Sequence, residues 1–390
     1  MTEKLKIGFV AGEASGDNLA AGLMAALRAE APKDCVIEFV GVGGTRMCEQ
    51  GLKCLYTLDV LSVNGFRDPI LKLPALIRLF KDIGDQLIAH ELDVFVGVDF
   101  NVFNFLLEGR LKKKGVQTVH YVSPSVYAWR RGRTRRVAKV ADAILCLFPF
   151  EPQFYENTNV KAVYVGHPLA DEISPHAGSA AARTEARKIL GMSESWTVIA
   201  VLPGSRRGEL TLMLPIFLQT ATILCKEIAD VHLVIPCAKP DLRDMIESEL
   251  RSYPWLSVTV VDQDTRRVLA ACDIGLIKSG TSTLEAMLMH RPMVISYRMG
   301  KWSYQLAKRL LRSPYVALPN ILSNRMLVPE LLQYEGSPEN LAAALQTELA
   351  RSRTESGFFA PYEALHTTLR RQADVTSAQA VLRLTRVGSG

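Results

Sequence analysis

Four short loops in this sequence combine glycine, hydroxyl and charged residues in patterns that ligand chemistry uses. The first, Gly12-Glu13-Ala14-Ser15-Gly16-Asp17, ends an apolar run and opens an Ala/Leu-rich one. Glycines let a backbone approach a ligand closely, and a helix start offers free N–H groups. The loop lacks the GxGxxG spacing of a dinucleotide site, and its two acids suit sugar hydroxyls better than a pyrophosphate. The plain alternative is a tight turn with Asp17 as a helix N-cap. The second loop, Leu202-Pro203-Gly204-Ser205-Arg206-Arg207-Gly208-Glu209, sets a Gly-Ser turn beside an arginine. Backbone donors at Gly204 and Ser205 with the guanidinium fork of Arg206 are what a diphosphate requires; a solvated basic turn is the alternative. In the third, Lys278-Ser279-Gly280-Thr281-Ser282-Thr283-Leu284-Glu285, small hydroxyl residues and glycine form an anion cradle at a helix start, and Glu285 lies one turn inside, within reach of paired ribose hydroxyls. Capping explains this Ser/Thr content but not its coincidence with the arginine loop. In the fourth, Val98-Asp99-Phe100-Asn101, an acid ends an apolar strand. Asp99 is there either an N-cap or a general base for an acceptor hydroxyl.

The surrounding pattern says what positions these loops. Apolar strands are expected over 7–11, 36–40, 94–98, 118–122 and 143–147, with helices between them that include 18–28 and 102–113. After a linker over 174–183, rich in small residues and able to hold the first turn of a helix, the rhythm restarts, with strands over 198–202, 232–236, 257–261, 274–277 and 293–296. Continuous apolar strands alternating with helices specify parallel sheets covered on both faces. The expected fold is α/β, with two Rossmann-like doubly wound domains facing a cleft. The N-terminal domain is 1–173 and the C-terminal one 184–360, and a helical segment over 361–390 packs back on the N-terminal half or on a partner subunit. Strand C-termini are where such sheets bind ligands.

Composition narrows the function classes. At 390 residues with 48% hydrophobic content, the chain has material for two cores and no disordered character. Seven cysteines without CxxC spacing argue against a disulfide framework or a structural zinc site, and for a reducing compartment. The N-terminus shows no signal-peptide pattern, and no apolar run reaches the roughly 20 residues that span a bilayer. Asp262-Gln263-Asp264 has the form of a metal-chelating DxD but stands where a helix begins, and is read as a cap; no metal or other cofactor is expected. His167 is read as a structural histidine beside a turn.

The loops occur in order with Ser123-Pro124-Ser125-Val126-Tyr127-Ala128-Trp129, Phe148-Pro149-Phe150-Glu151 and Leu318-Pro319-Asn320. This ordered set resembles the lipid-A-disaccharide synthase family, a glycosyltransferase family of GT-B type, over nearly the whole chain. The resemblance implies transfer from UDP-2,3-diacylglucosamine to 2,3-diacylglucosamine 1-phosphate with inversion, giving a β-1,6-linked disaccharide and UDP. It implies that Arg206, Ser279, Gly280, Thr281, Glu285 and Asn320 line the UDP pocket. It implies Asp99 as the base, with Glu13 the second choice. It also implies a cytoplasmic enzyme peripheral to the inner membrane of a Gram-negative bacterium. Arg207, which doubles the phosphate-loop arginine, and Pro168 are small departures from the family pattern.

An acylated acceptor needs an apolar surface. Val63, Phe66, Leu71, Leu73, Leu76, Ile77 and Phe80, interrupted by Lys72, Arg78 and Lys81, read as an interfacial helix with snorkelling cations. Core packing gives the same pattern. Arg130 and Arg131 open a basic cluster suited to an anionic membrane surface, with Trp302, Tyr304, Lys308, Arg309 and Arg312 as a weaker second face. The net charge of +6 without interleaved stacking aromatics argues against nucleic acid. A homodimer remains open. Two other readings compete: a UDP-sugar 2-epimerase, which needs no acyl surface, and a non-catalytic module for anionic lipid.

Overall fold

The computed structural model describes residues 3–65, 69–124, 132–300, 304 and 313–385. The chain divides into two compact units, Met1–Asp171 with Leu369–Gly390, and Glu172–Thr368. Each unit is built on one parallel sheet.

In unit 1 the strands are β1 (Glu3–Ala11), β2 (Cys35–Gly43), β3 (Leu52–Thr57), β4 (Val94–Val98), β5 (Gln117–Tyr121), β6 (Ala143–Cys146) and β7 (Lys161–Tyr164). They lie in the order β3-β2-β1-β4-β5-β6-β7. The chain runs outward from β1 to β3, then returns to the other side of β1 as β4. That reversal leaves a crevice beyond the ends of β1 and β4. Their register matches Ala11 to Val98, so the loops that follow, beginning at Gly12 and Asp99, emerge side by side. Helices cover both faces. Along Asn101–Lys112, Phe103, Leu107 and Leu111 recur at helical spacing and pack with Ile83, Leu87 and Phe95, while Phe105 faces a second core with Val137, Ile144 and Tyr155.

Unit 2 repeats the plan. β8 (Thr197–Leu202), β9 (Val231–Cys237), β10 (Val258–Asp262), β11 (Ile274–Lys278), β12 (Met293–Tyr297) and β13 (Glu330–Leu332) lie in the order β10-β9-β8-β11-β12-β13. Here the reversal falls between β8 and β11, and Leu202 pairs with Ile277. The two sheets make two Rossmann-like domains.

β3, β7 and β13 were not expected from the sequence. Each lies at a sheet edge and is only part-buried, so none carries a continuous apolar run. The linker region already holds structure: Ser179 caps the helix Ala180–Leu190 by accepting from the N–H of Ala182. The helix Arg207–Glu227 is long and apolar enough to cross a membrane by length and composition alone. It connects β8 to β9, and Leu210, Met213, Leu214, Phe217, Leu218, Ala221 and Leu224 are buried in the unit 2 core, as a core helix requires. At the end of the chain the helix Ala373–Leu382 rejoins unit 1 against Ala14–Glu30. Asp171 fixes that return by accepting from the N–H groups of Gln372 and Ala373 at 2.9 and 2.6 Å.

Candidate active site

Asp99 and Phe100 both adopt left-handed backbone conformations, φ 47° and 44°, which turn the chain sharply between β4 and the helix Asn101–Lys112. Neither is glycine, so the turn is strained and must be held by its surroundings. Asn104 holds it: its buried amide donates to the carbonyls of Val10, Val98 and Asp99. The Asp99 N–H donates to Tyr121. The capping reading of Asp99 therefore gives way, because its carboxylate accepts from the Asn101 side chain at 3.0 Å instead. A Cβ on Gly12 would lie 2.3 Å from the Phe100 ring, so only glycine lets the two loops close on each other.

These loops border a cavity of about 610 Å³, lined by Gly12, Glu13, Asp99 and Asn101 together with Leu61, Leu76, Ile77, Phe80, Val102 and Leu106. It is a mostly apolar chamber whose lining includes the carboxylates of Glu13 and Asp99. Burial pushes the Asp99 carboxyl above its ordinary range, and Glu13 adds to the rise, while His120 and the Phe100 N–H oppose it. Glu13 is exposed and makes no capping bond with its side chain. Asp17 is not a ligand group and does not cap its own helix: it is buried and accepts from the N–H groups of Gly44, Arg46 and Met47, capping the next helix, Thr45–Glu49.

Of the expected acyl or membrane contacts, Leu76, Ile77 and Phe80 line this cavity. Val63, Leu71 and Leu73 lie in helices whose side chains there are outside the described set, and Phe66, Arg130 and Arg131 lie outside the described residues. Val102 and Leu106, 73% and 59% exposed, join Ile77 at the mouth and were missed. Their signal was an apolar residue on the polar side of an otherwise amphipathic helix.

In unit 2 a second, polar cavity of about 330 Å³ sits at the β8/β11 reversal, lined by Gly204, Ser205, Arg206, Glu209, Lys278, Gly280, Thr281 and Ser282, among others. Arg206 occupies the cap position of Arg207–Glu227 with its side chain 76% exposed. Gly204 has φ 123°, and a Cβ there would meet Glu209 at 2.5 Å. Glu209 organises the loop, accepting from Ser205 N and from Lys278 Nζ, each at 3.0 Å. Burial alone would raise its carboxyl; the Lys278 hydrogen bond and charge, the Ser205 N–H and Arg206 outweigh this and hold it below its ordinary value. Lys278, also 4.8 Å from the Tyr297 ring centroid, brings a second cation to the cavity. Two helix N-termini, at Arg207 and Thr281, start at its rim. Two cations, backbone N–H groups and two helix dipoles are a diphosphate-binding set.

Three expected pocket residues are placed differently. Ser279 donates to Val316, and Glu285 sits 3.6 Å from Arg266, with its carboxyl raised chiefly by burial. Neither is among the described lining residues. Asn320 does not line the cavity either and is fully buried. It donates to Val328 and Glu330 and accepts from Leu327 and Val328, so all its hydrogen-bonding capacity is spent within the protein. Arg207 turns away to Asp241. Asp264 caps Thr265–Ala271 by accepting from Arg267 N, and Asp262 pairs with Arg243. His167 accepts from Leu169 N and is pulled down to about 4 by burial, so it stays neutral at physiological pH. Among the described residues no cluster of three His, Cys, Asp or Glu side chains has the proximity to hold a metal ion.

The family model for lipid-A-disaccharide synthetase matches residues 7–381. A lipid-A-disaccharide synthase from Pseudomonas aeruginosa (strain UCBPP-PA14) is 44% identical over 384 residues, covering 98% of this chain and 99% of its own length. That of Saccharophagus degradans is 43% identical over 386 residues, covering 98% and 97%. Among solved structures, UDP-GlcNAc 2-epimerase from Neisseria meningitidis aligns with TM-score 0.64 at 11% identity, over 97% of this chain and 98% of the other. MurG from Acinetobacter baumannii aligns with TM-score 0.57 at 11% identity, over 98% and 99%. At such identity these last two likenesses speak for the fold alone. The sequence relatives go further: this chain belongs to the lipid-A-disaccharide synthetase family.

Proposed function

We propose that the chain transfers a diacylglucosaminyl group from UDP-2,3-diacylglucosamine to 2,3-diacylglucosamine 1-phosphate, with the roles divided between the two polar loops of unit 1 and the phosphate loops of unit 2. The carrying observation is the chamber of unit 1, mostly apolar and lined in part by the carboxylates of Glu13 and Asp99. An acylated sugar needs such a chamber, and a simple sugar does not.

Asp99 takes the proton of the acceptor 6-hydroxyl, and Glu13 at the exposed lip binds sugar hydroxyls. The freed oxygen attacks the anomeric carbon from the face opposite the diphosphate. The O6–C1 bond forms as the C1–phosphate oxygen bond breaks, and its electron pair leaves on UDP. Inversion follows from this single displacement. Arg206, Lys278 and the helix starts at Arg207 and Thr281 stabilise the charge that develops on the departing diphosphate. Ser205, Gly280, Thr281 and Ser282 supply short donors. No step calls on a metal. Ile77, Val102 and Leu106 face the acyl chains and the membrane surface from which the substrates come, which makes the protein peripheral to a cytoplasmic membrane face.

The test is acceptor-dependent UDP release by the purified protein in detergent, with and without EDTA, for wild type and Asp99→Ala. Turnover that ignores EDTA and falls by about 10²–10⁴-fold in the variant, with UDP binding retained, is the expected result. UDP release without acceptor would favour epimerase chemistry. Asp99→Ala at wild-type rate would remove Asp99 as the base.

A further inference from the structure

Behind Asp99 the fold buries two ionisable residues that the transfer step, as described, does not use. His120 on β5 and Glu108 on the helix Asn101–Lys112 are both 0% exposed, and His120 Nδ1 lies 2.6 Å from Glu108 Oε1. The opposite ring nitrogen, Nε2, lies 3.3 Å from Oδ1 of Asn101, whose Nδ2 donates to Asp99 Oδ1 at 3.0 Å. An unbroken polar row thus runs from the core to the cavity. Its inner end has space only because β4 carries glycine: a Cβ on Gly97 would stand 2.3 Å from Glu108 Oε1. The Phe105 ring packs against the imidazole, with ring centroids 4.6 Å apart.

Donor and acceptor accounting gives the row a direction. A carboxylate acting as base only accepts, so the Asn101 amide must turn its NH₂ toward Asp99. Its carbonyl oxygen then faces His120, and only a donor satisfies it, so Nε2 carries a hydrogen. Nδ1, 2.6 Å from Glu108 Oε1, shares a second hydrogen with that carboxyl. With this hydrogen on the ring the imidazole donates from both nitrogens and is a cation, and Glu108 is then its buried counter-charge.

We propose that Glu108 and His120 form a buried charge pair that acts through Asn101 to orient Asp99 and keep it ionised inside an otherwise apolar chamber. His120 is then a positioning residue for the base rather than a core histidine. The inference rests on Asp99 being the base. The charged groups bearing on Asp99 are Glu13, across the neighbouring loop, and His120; burial and Glu13 favour the protonated acid, while His120 and the Phe100 N–H favour the carboxylate. The walls formed by Leu61, Leu76, Ile77 and Phe80 carry no charge. Removing the imidazole therefore leaves Asp99 protonated to higher pH.

The experiment measures kcat and KM against pH for the full chain and for His120→Gln, with UDP-2,3-diacylglucosamine and the lipid acceptor in detergent micelles. Circular dichroism and UDP binding report folding. The expected result is a rate near neutral pH lowered about tenfold, KM for the UDP-sugar unchanged, and an acidic limb moved up by about one pH unit, so that part of the loss returns at alkaline pH. A rate lowered by the same factor at every pH, or not lowered at all, overturns the proposal. Where His120→Gln does not fold, Asn101→Ala cuts the row at its partly exposed member; an unshifted limb in that variant overturns the proposal equally. Asp99→Asn separates the two ideas. If it turns over like wild type, the base assignment falls and this inference falls with it. If it is inactive while the His120→Gln profile runs parallel to wild type, only the role of the charge pair falls.

Discussion

Single residues in both units are committed to holding loops rather than to touching ligand, and Asn320 is the clearest of them. It stitches the segment after its own helix by four hydrogen bonds, two given and two accepted, and Glu330 in turn accepts from the N–H groups of Val316 and Ala317. Replacing it with alanine strands buried donors and acceptors at once, with a cost of about 2–4 kcal/mol. Asn320→Ala is therefore expected to lower the urea midpoint clearly, with the slope unchanged. A loss under about 0.5 kcal/mol would return Asn320 to the role of a ligand contact. Local spacing makes some residues legible and hides others. Gly204, Ser205 and Arg206 could be read because they follow a strand directly, and a glycine there serves little else. Lys278 opens the third loop, but the sequence assigns it no role, since a lysine at a strand end reads as a solvated terminus. Its place in the cavity depends on Glu209, which lies 69 residues away in sequence.

At the level of elements, the apolar mouth of unit 1 is made by two helices that each contribute part of an otherwise unexplained face. Pro69–Ala89 brings Ile77 and Asn101–Lys112 brings Val102 and Leu106, all three substantially exposed although they adjoin a buried core. Fully burying one such side chain is worth about 1.5–3 kcal/mol, and an interface realises part of that. Val102→Ser with Leu106→Ser is expected to weaken sedimentation with anionic phospholipid vesicles about tenfold while leaving UDP affinity unchanged. Unaltered partitioning would show that these residues meet only the acyl chains of substrate, or nothing. The central strands and this helix were legible in the sequence because burial on both faces writes a continuous apolar run, as in β4. The edge strands were not. β3 and β7 bury only some of their positions, and β13 has just three residues, so neighbours across the sheet define them more than their own composition does.

On the scale of the whole molecule, the chain leaves unit 1 after Asp171 and comes back at Leu369, so one domain is closed by a segment made last. Sequence periodicity gave the final helix but not its destination, because a helix with one buried stripe fits any groove of suitable shape. What fixes the destination is Asp171, whose two oxygens take the N–H groups at the start of Ala373–Leu382, and the face of Ala14–Glu30 on which that helix lies. Each unit has its own sheet and its own buried cluster, so ligand and mutation should act on different parts of a thermal melt. UDP at 100 times its Kd stabilises the unit that binds it by about 2.7 kcal/mol, and the proposed site places that effect in unit 2. Asp171→Ala removes the acceptor of two backbone donors, one exposed and one partly buried, and should cost about 1–2 kcal/mol in unit 1. The expected calorimetric record has UDP raising one component, Asp171→Ala lowering the other, and the ligand shift preserved in the variant. If instead both perturbations move one shared transition, the units unfold together, and closure of unit 1 by the returning helix governs the stability of the donor site as well.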